Sequence, residues 1–78
     1  MEQRLIAQKQ SAGFIKRAVV MKLDDYWVVV VVEENGTMIK LTLQRLEDGK
    51  ESVRKFATLD AAANVLRKMG ISKFKVFS

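Results

Sequence analysis

Four carboxylates come in adjacent pairs, Asp24-Asp25 and Glu33-Glu34. Paired acids serve general acid–base chemistry or bind cations, provided both carboxylates reach one point. Neighbouring residues of a strand project to opposite faces, so neither pair converges. Both pairs instead flank apolar runs, where charge discourages edge-to-edge association of sheets. Ser11, Ser52, Ser72 and Ser78 have no imidazole to activate them, because the chain lacks histidine altogether. Cysteine is absent too, and no glycine-rich phosphate loop occurs. No enzyme, no cofactor and no metal site are therefore expected.

Charge and aromatic residues remain as functional material. The 78 residues carry a net charge of +5. Residues 1–22 hold Arg4, Lys9, Lys16, Arg17 and Lys22 against Glu2, and residues 60–78 hold Arg67, Lys68, Lys73 and Lys75 against Asp60. The middle of the chain is slightly acidic. Cations gathered at both ends of a chain favour a polyanion such as a nucleic-acid backbone. Within the middle, Lys40, Arg54 and Lys55 join Lys9, Lys16, Arg17, Arg67, Lys68, Lys73 and Lys75 as candidate phosphate contacts. Tyr26 and Trp27 add a second chemistry, since a base stacked on an aromatic ring gains roughly 1–3 kcal/mol.

These residues must be positioned by a small fold. At 49% hydrophobic and 29% charged, the composition is that of a globular chain. Its length allows one core at most, and a marginal one, with no disulfide to reinforce it. Homodimerisation is a common remedy and is expected here. No apolar run approaches the ~20 residues of a membrane span. The opening "MEQRLIAQKQ" lacks the apolar centre of a signal peptide, so a cytoplasmic protein without membrane contact is expected.

The strongest local pattern is "YWVVVVVEENGTMIKLTL", residues 26–43. Asn35-Gly36 between two apolar runs predicts a hairpin with a two-residue type I′ turn. That turn sets Val32 against Ile39, Val30 against Leu41 and Val28 against Leu43, an apolar side expected to be core. The other side pairs Trp27 with Gln44, Val29 with Thr42 and Val31 with Lys40. There Trp27, Val29 and Val31 need a cover: the N-terminal helix, a second subunit, or, for Trp27, a stacked base. Asp48-Gly49 predicts a second turn and residues 52–56 a third strand, which a tight turn would orient with Arg54 toward the core.

"TLDAAANVLRKMG" predicts a helix, with Thr58 as N-cap, Asp60 in the first turn and Gly70 at the C-terminus. "ISKFKVFS" alternates as a short edge strand. Residues 2–21 have approximate helical spacing, weakened at Gly13, with a basic arm or a strand beginning at "AVVMKL" as alternatives. Residues 1–21 thus read as a basic helix or arm, and residues 22–78 as a small α+β domain. Its expected form is an antiparallel sheet of three to four strands packed on one helix, in the order (α)-β-β-β-α-β.

"FATLDAAANVLRKMGI", after an "NG" hairpin and three strands, resembles a pattern in the ParC family of plasmid partition-associated proteins. The likeness spans about residues 22–77 and carries over no catalytic residue. It implies a non-enzymatic role in maintenance, partition or control of a mobile element. The sheet-then-helix order is also similar to the arm-type DNA-binding domain of tyrosine integrases, although Trp27, Val29 and Val31 replace the polar sheet face found there. The expected function is DNA binding by a dimeric accessory protein, with strand preference open. The alternative is an adaptor or inhibitor that engages a protein partner in plasmid maintenance through the hairpin face around Trp27.

Overall fold

The computed structural model describes residues 1–47 and 50–78, and residues 44–47, 50 and 51 by backbone course alone. The elements are α1 (Gln3–Ser11), β1 (Ile15–Leu23), β2 (Tyr26–Glu33), β3 (Met38–Lys40), β4 (Thr42–Glu47), β5 (Lys50–Val53), α2 (Leu59–Lys68) and β6 (Lys75–Phe77). Four strands form one sheet in the order β3-β2-β1-β6, and β4 and β5 form a separate antiparallel ribbon. The fold is α+β. The expected Asp48-Gly49 turn falls outside the described residues.

The sheet is mixed rather than wholly antiparallel. β1 pairs antiparallel with β2, and β2 with β3, but β6 runs parallel to β1. The reason lies in the segment that enters α2. Phe56 bridges Trp27 antiparallel to β2, so this segment already runs in the direction of β1. One helix then carries the chain across the sheet and returns it in the same direction, the connection that parallel pairing requires. The third strand expected over 52–56 is accordingly divided. Its first part pairs in the ribbon as β5, and Phe56 joins the main sheet beside Trp27.

The helix expected over 2–21 closes at Ser11, and residues 15–23 form a strand. Gly13 has φ +83°, and the N–H groups of Gly13 and Phe14 donate to the carbonyls of Gln10 and Lys9. This paired closure, with glycine in the left-handed region, ends a helix firmly. Beyond it the β-branched Ile15, Val19 and Val20 favour extended backbone. α2 ends in the same manner: Gly70 has φ +84°, and Gly70 and Ile71 donate to Arg67 and Leu66. At its start Thr58 Oγ1 accepts from the Ala61 N–H at 3.1 Å.

The hairpin register differs from the two-residue turn by one position. Val32 pairs with Met38, Val31 with Ile39 and Val30 with Lys40. The Gly36 N–H donates to the Glu33 carbonyl, and the Glu33 N–H to the Thr37 carbonyl. Gly36 has φ +91° while Asn35 stays at negative φ. This is a three-residue loop, Glu34-Asn35-Gly36, in which the third residue takes the left-handed conformation. The Asn35 carboxamide secures it by accepting the Thr37 N–H at 2.9 Å.

A one-residue slip exchanges the faces of a strand. Ile39 and Leu41 still point into the core, but the valines beside them are Val29 and Val31, not Val28, Val30 and Val32. Val29, Val31, Ala18 and Val20 pack with Ile6 of α1 and with Ala62, Val65 and Leu66 of α2. Both helices therefore cover the same side of the sheet. The alanines of α2 let helix and sheet approach closely.

Candidate functional site

The corrected register separates two surfaces of opposite character. On the helix side Val29 and Val31 are wholly buried, and Trp27 packs partly buried against the same core. The Lys22 ammonium lies 5.8 Å above the indole. α1 and α2 thus cover the three residues considered as a stacking or interface surface.

The opposite side of the sheet carries neither helix. Alternation assigns it Arg17, Val19, Met21 and Leu23 from β1 and Tyr26, Val28, Val30 and Val32 from β2. β3 contributes Met38 and Lys40, and β6 contributes Lys75 and Phe77. Val28 and Val30, 1% and 3% exposed, are closed off at the centre. Around them the periphery is open, with Met38 at 69% and Phe77 at 56%. Lys40 and Lys75 bracket one row, Lys40–Val30–Val19–Lys75, across the whole width of the sheet. Lys55 comes in from the segment before Phe56, its ammonium 4.8 Å over the Tyr26 ring. Among the described residues this side holds four cations, Arg17, Lys40, Lys55 and Lys75, and no carboxylate.

The remaining candidate cations are placed elsewhere. Lys9 of α1 pairs with Glu33 at 3.3 Å and stands over Phe14. Arg54 is half-buried on the helix side, where its guanidinium donates to Gln3 Oε1 at 3.0 Å and lies 5.1 Å over Phe56. Packing against an aromatic ring and a side-chain amide accommodates the core-side position that a tight turn implies. Arg67 donates to Asn64 Oδ1 along α2, and Lys68 is exposed at the end of that helix. Lys16 is the extra residue of a β-bulge, since Ile15 opposes Glu33 while Arg17 opposes Val32. With Arg17 and Lys73 it lines a cleft of about 250 Å³ at the start of β1, beside Gln10 and Ser72.

The structure therefore unites Arg17, Lys40, Lys55 and Lys75 on one face and Lys16, Arg17 and Lys73 around one cleft, with Arg17 common to both. Lys9, Arg54, Arg67 and Lys68 do not join them. Phe77 and Met38 are not singled out by the sequence, which names Tyr26 and Trp27 together as stacking candidates. Parity along β1 and β2 separates the two once the loop length is known. Phe77 depended on the parallel pairing of β6.

Among the described residues no group of three or more histidine, cysteine, aspartate or glutamate side chains is placed to hold a metal ion. No helix among them is long and apolar enough to cross a membrane. No protein-family profile matches the chain, and neither does any curated protein or solved structure.

Proposed function

We propose that this protein is a non-enzymatic nucleic-acid-binding accessory protein, acting in maintenance, partition or regulation of a plasmid or related element. The observation behind the binding is the helix-free sheet face, with Arg17, Lys40, Lys55 and Lys75 and no carboxylate among the described residues. Lys and Arg arranged without acids attract phosphate backbones and release condensed counterions on binding. The Lys16–Arg17–Lys73 cleft extends the same positive surface around the start of β1. The mobile-element context is proposed from the resemblance of residues 22–77 to plasmid partition-associated proteins.

The test is binding of labelled oligonucleotides, single-stranded and duplex, over a range of salt. Log affinity should fall linearly with log salt, with a slope of about −3 to −4 if all four cations meet phosphates. Absence of binding to either form at low salt ends this proposal.

A second reading is a protein–protein contact, and one observation favours it. Leu5 and Phe14 are exposed beside Ala12 and Lys9 in a largely apolar groove, and Met38 and Ile39 continue it along β3. An adaptor or a homodimer would use that surface rather than the one around Trp27. Sedimentation at rising concentration separates the two, because only a second copy produces a concentration-dependent shift.

A further inference from the structure

Building on the nucleic-acid reading, we infer that the ligand of the helix-free face is a single strand. Its bases lie on Tyr26 and Phe77, and its phosphates meet Arg17, Lys40, Lys55 and Lys75.

Tyr26 and Phe77 share this face across three strands. Phe77 pairs with Met21, Met21 with Val28, and Val28 lies two residues along β2 from Tyr26. Strand spacing and rise set the backbone positions of Tyr26 and Phe77 about 12 Å apart. Val28 between them and Val30 in the next row are already closed to solvent, so the peripheral rings are what a ligand meets. A base gains by stacking only if its face is free, which holds for a single strand and not inside a duplex.

Duplex recognition would ask something different of this surface. Reading base edges in a groove takes side-chain donors and acceptors, arginine or lysine for guanine and asparagine or glutamine for adenine. Apart from its four cations and the Tyr26 hydroxyl, the described face is apolar, so the groups that could read an edge are the same ones that meet phosphates. Cations distributed at its corners and rings on its outline suit a strand laid across the sheet.

A second copy seated face to face is disfavoured by the same charges, because the cations of both faces would meet with no carboxylate of the described residues between them. An anionic lipid surface shares the phosphate chemistry but offers no flat ring to stack, and it becomes an arm of the test.

The experiment is fluorescence anisotropy with a labelled single strand and a hairpin duplex of matching sequence at low salt. The proteins are the wild type, Phe77→Ser, Phe77→Leu, Tyr26→Leu and the double variant Lys40→Ala/Lys75→Ala, each confirmed folded by circular dichroism. Vesicles containing phosphatidylserine form a parallel arm. The single strand should bind at least tenfold more tightly than the duplex. Phe77→Ser, Phe77→Leu and Tyr26→Leu should each weaken the single strand about fivefold or more, the lower bound of one stacked base, and leave the duplex unmoved. The double variant should weaken both. Aromatic variants that bind the single strand like wild type, or a preference for duplex, overturn the single-strand inference while leaving the nucleic-acid reading intact. Failure to bind either oligonucleotide overturns both, and vesicle binding in that case transfers the face to lipid.

Discussion

Tyr26 and Trp27 are neighbours in the chain, and the pleat sends them to different environments. Trp27 faces the helices with Lys22 above it, whereas Tyr26 faces away from them under Lys55. Trp27 emission should therefore follow unfolding by denaturant closely and change little when an oligonucleotide is added. Strong quenching by a single strand would mean that the ligand reaches the helix side. Thr42 offers a second residue-level test. Its hydroxyl is buried without a hydrogen-bond partner among the described residues. A buried polar group left unsatisfied costs about 1–3 kcal/mol, so Thr42→Val should raise the midpoint of thermal unfolding, by roughly 1 kcal/mol in stability. A lower midpoint would show that the hydroxyl is satisfied.

At the scale of elements, both helices end on a glycine in the left-handed region. No atom outside its chain neighbours comes nearer than 3.7 Å to a Cβ built on Gly70. The penalty of Gly70→Ala is thus conformational, about 1–2 kcal/mol, and chemical denaturation should report it without loss of the fold. Features of this kind were legible in the sequence because they are local. Thr58, Asp60 and Gly70 announce the limits of α2 within a few residues. The hairpin was legible only in part. Asn35-Gly36 suits a two-residue and a three-residue loop, and the choice between them moves the register by one position. That single position decides whether odd or even valines face the helices. Five consecutive valines give no composition difference between the two sides, so the sequence could not break the tie. The parallel placement of β6 was harder still, because it depends on which side of β2 the chain enters α2. As a result the cations of the helix-free face could be named but not grouped.

At the scale of the whole molecule, cations divide between a helix layer and a sheet layer. Charge reversal tests whether only the sheet layer binds. Lys40→Glu together with Lys75→Glu should reduce affinity for a single strand by about two orders of magnitude at low salt. The matched pair Arg67→Glu and Lys68→Glu, on α2, changes net charge equally and should have a far smaller effect. The comparison separates a defined face from a general attraction to a basic protein, which both pairs would weaken alike. All four changes lie at exposed positions, so thermal unfolding should move little in the sheet pair. The α2 pair also puts negative charge in the last turn of the helix and should lower the midpoint modestly.

The pairing of β6 with β1 also bears on how the molecule forms. The two strands are far apart in sequence, yet they are neighbours in the sheet, with Val19 beside Lys75 and 55 residues between them. Contacts that distant close late, because the entropy of the intervening loop must be overcome first. During folding β1 can find β2 at once across Asp24-Asp25, but its other edge stays unpaired until residues 75–77 are available. Until then Val19, Val20 and Met21 present unpaired backbone along an apolar strand, the kind of edge onto which other chains add. β6 has three exposed residues, so this closure is also the first to reopen. Amide hydrogens of residues 75–77 should exchange soonest among the strands of the sheet and those of residues 28–31 last, and conditions that hasten the former should hasten aggregation in step.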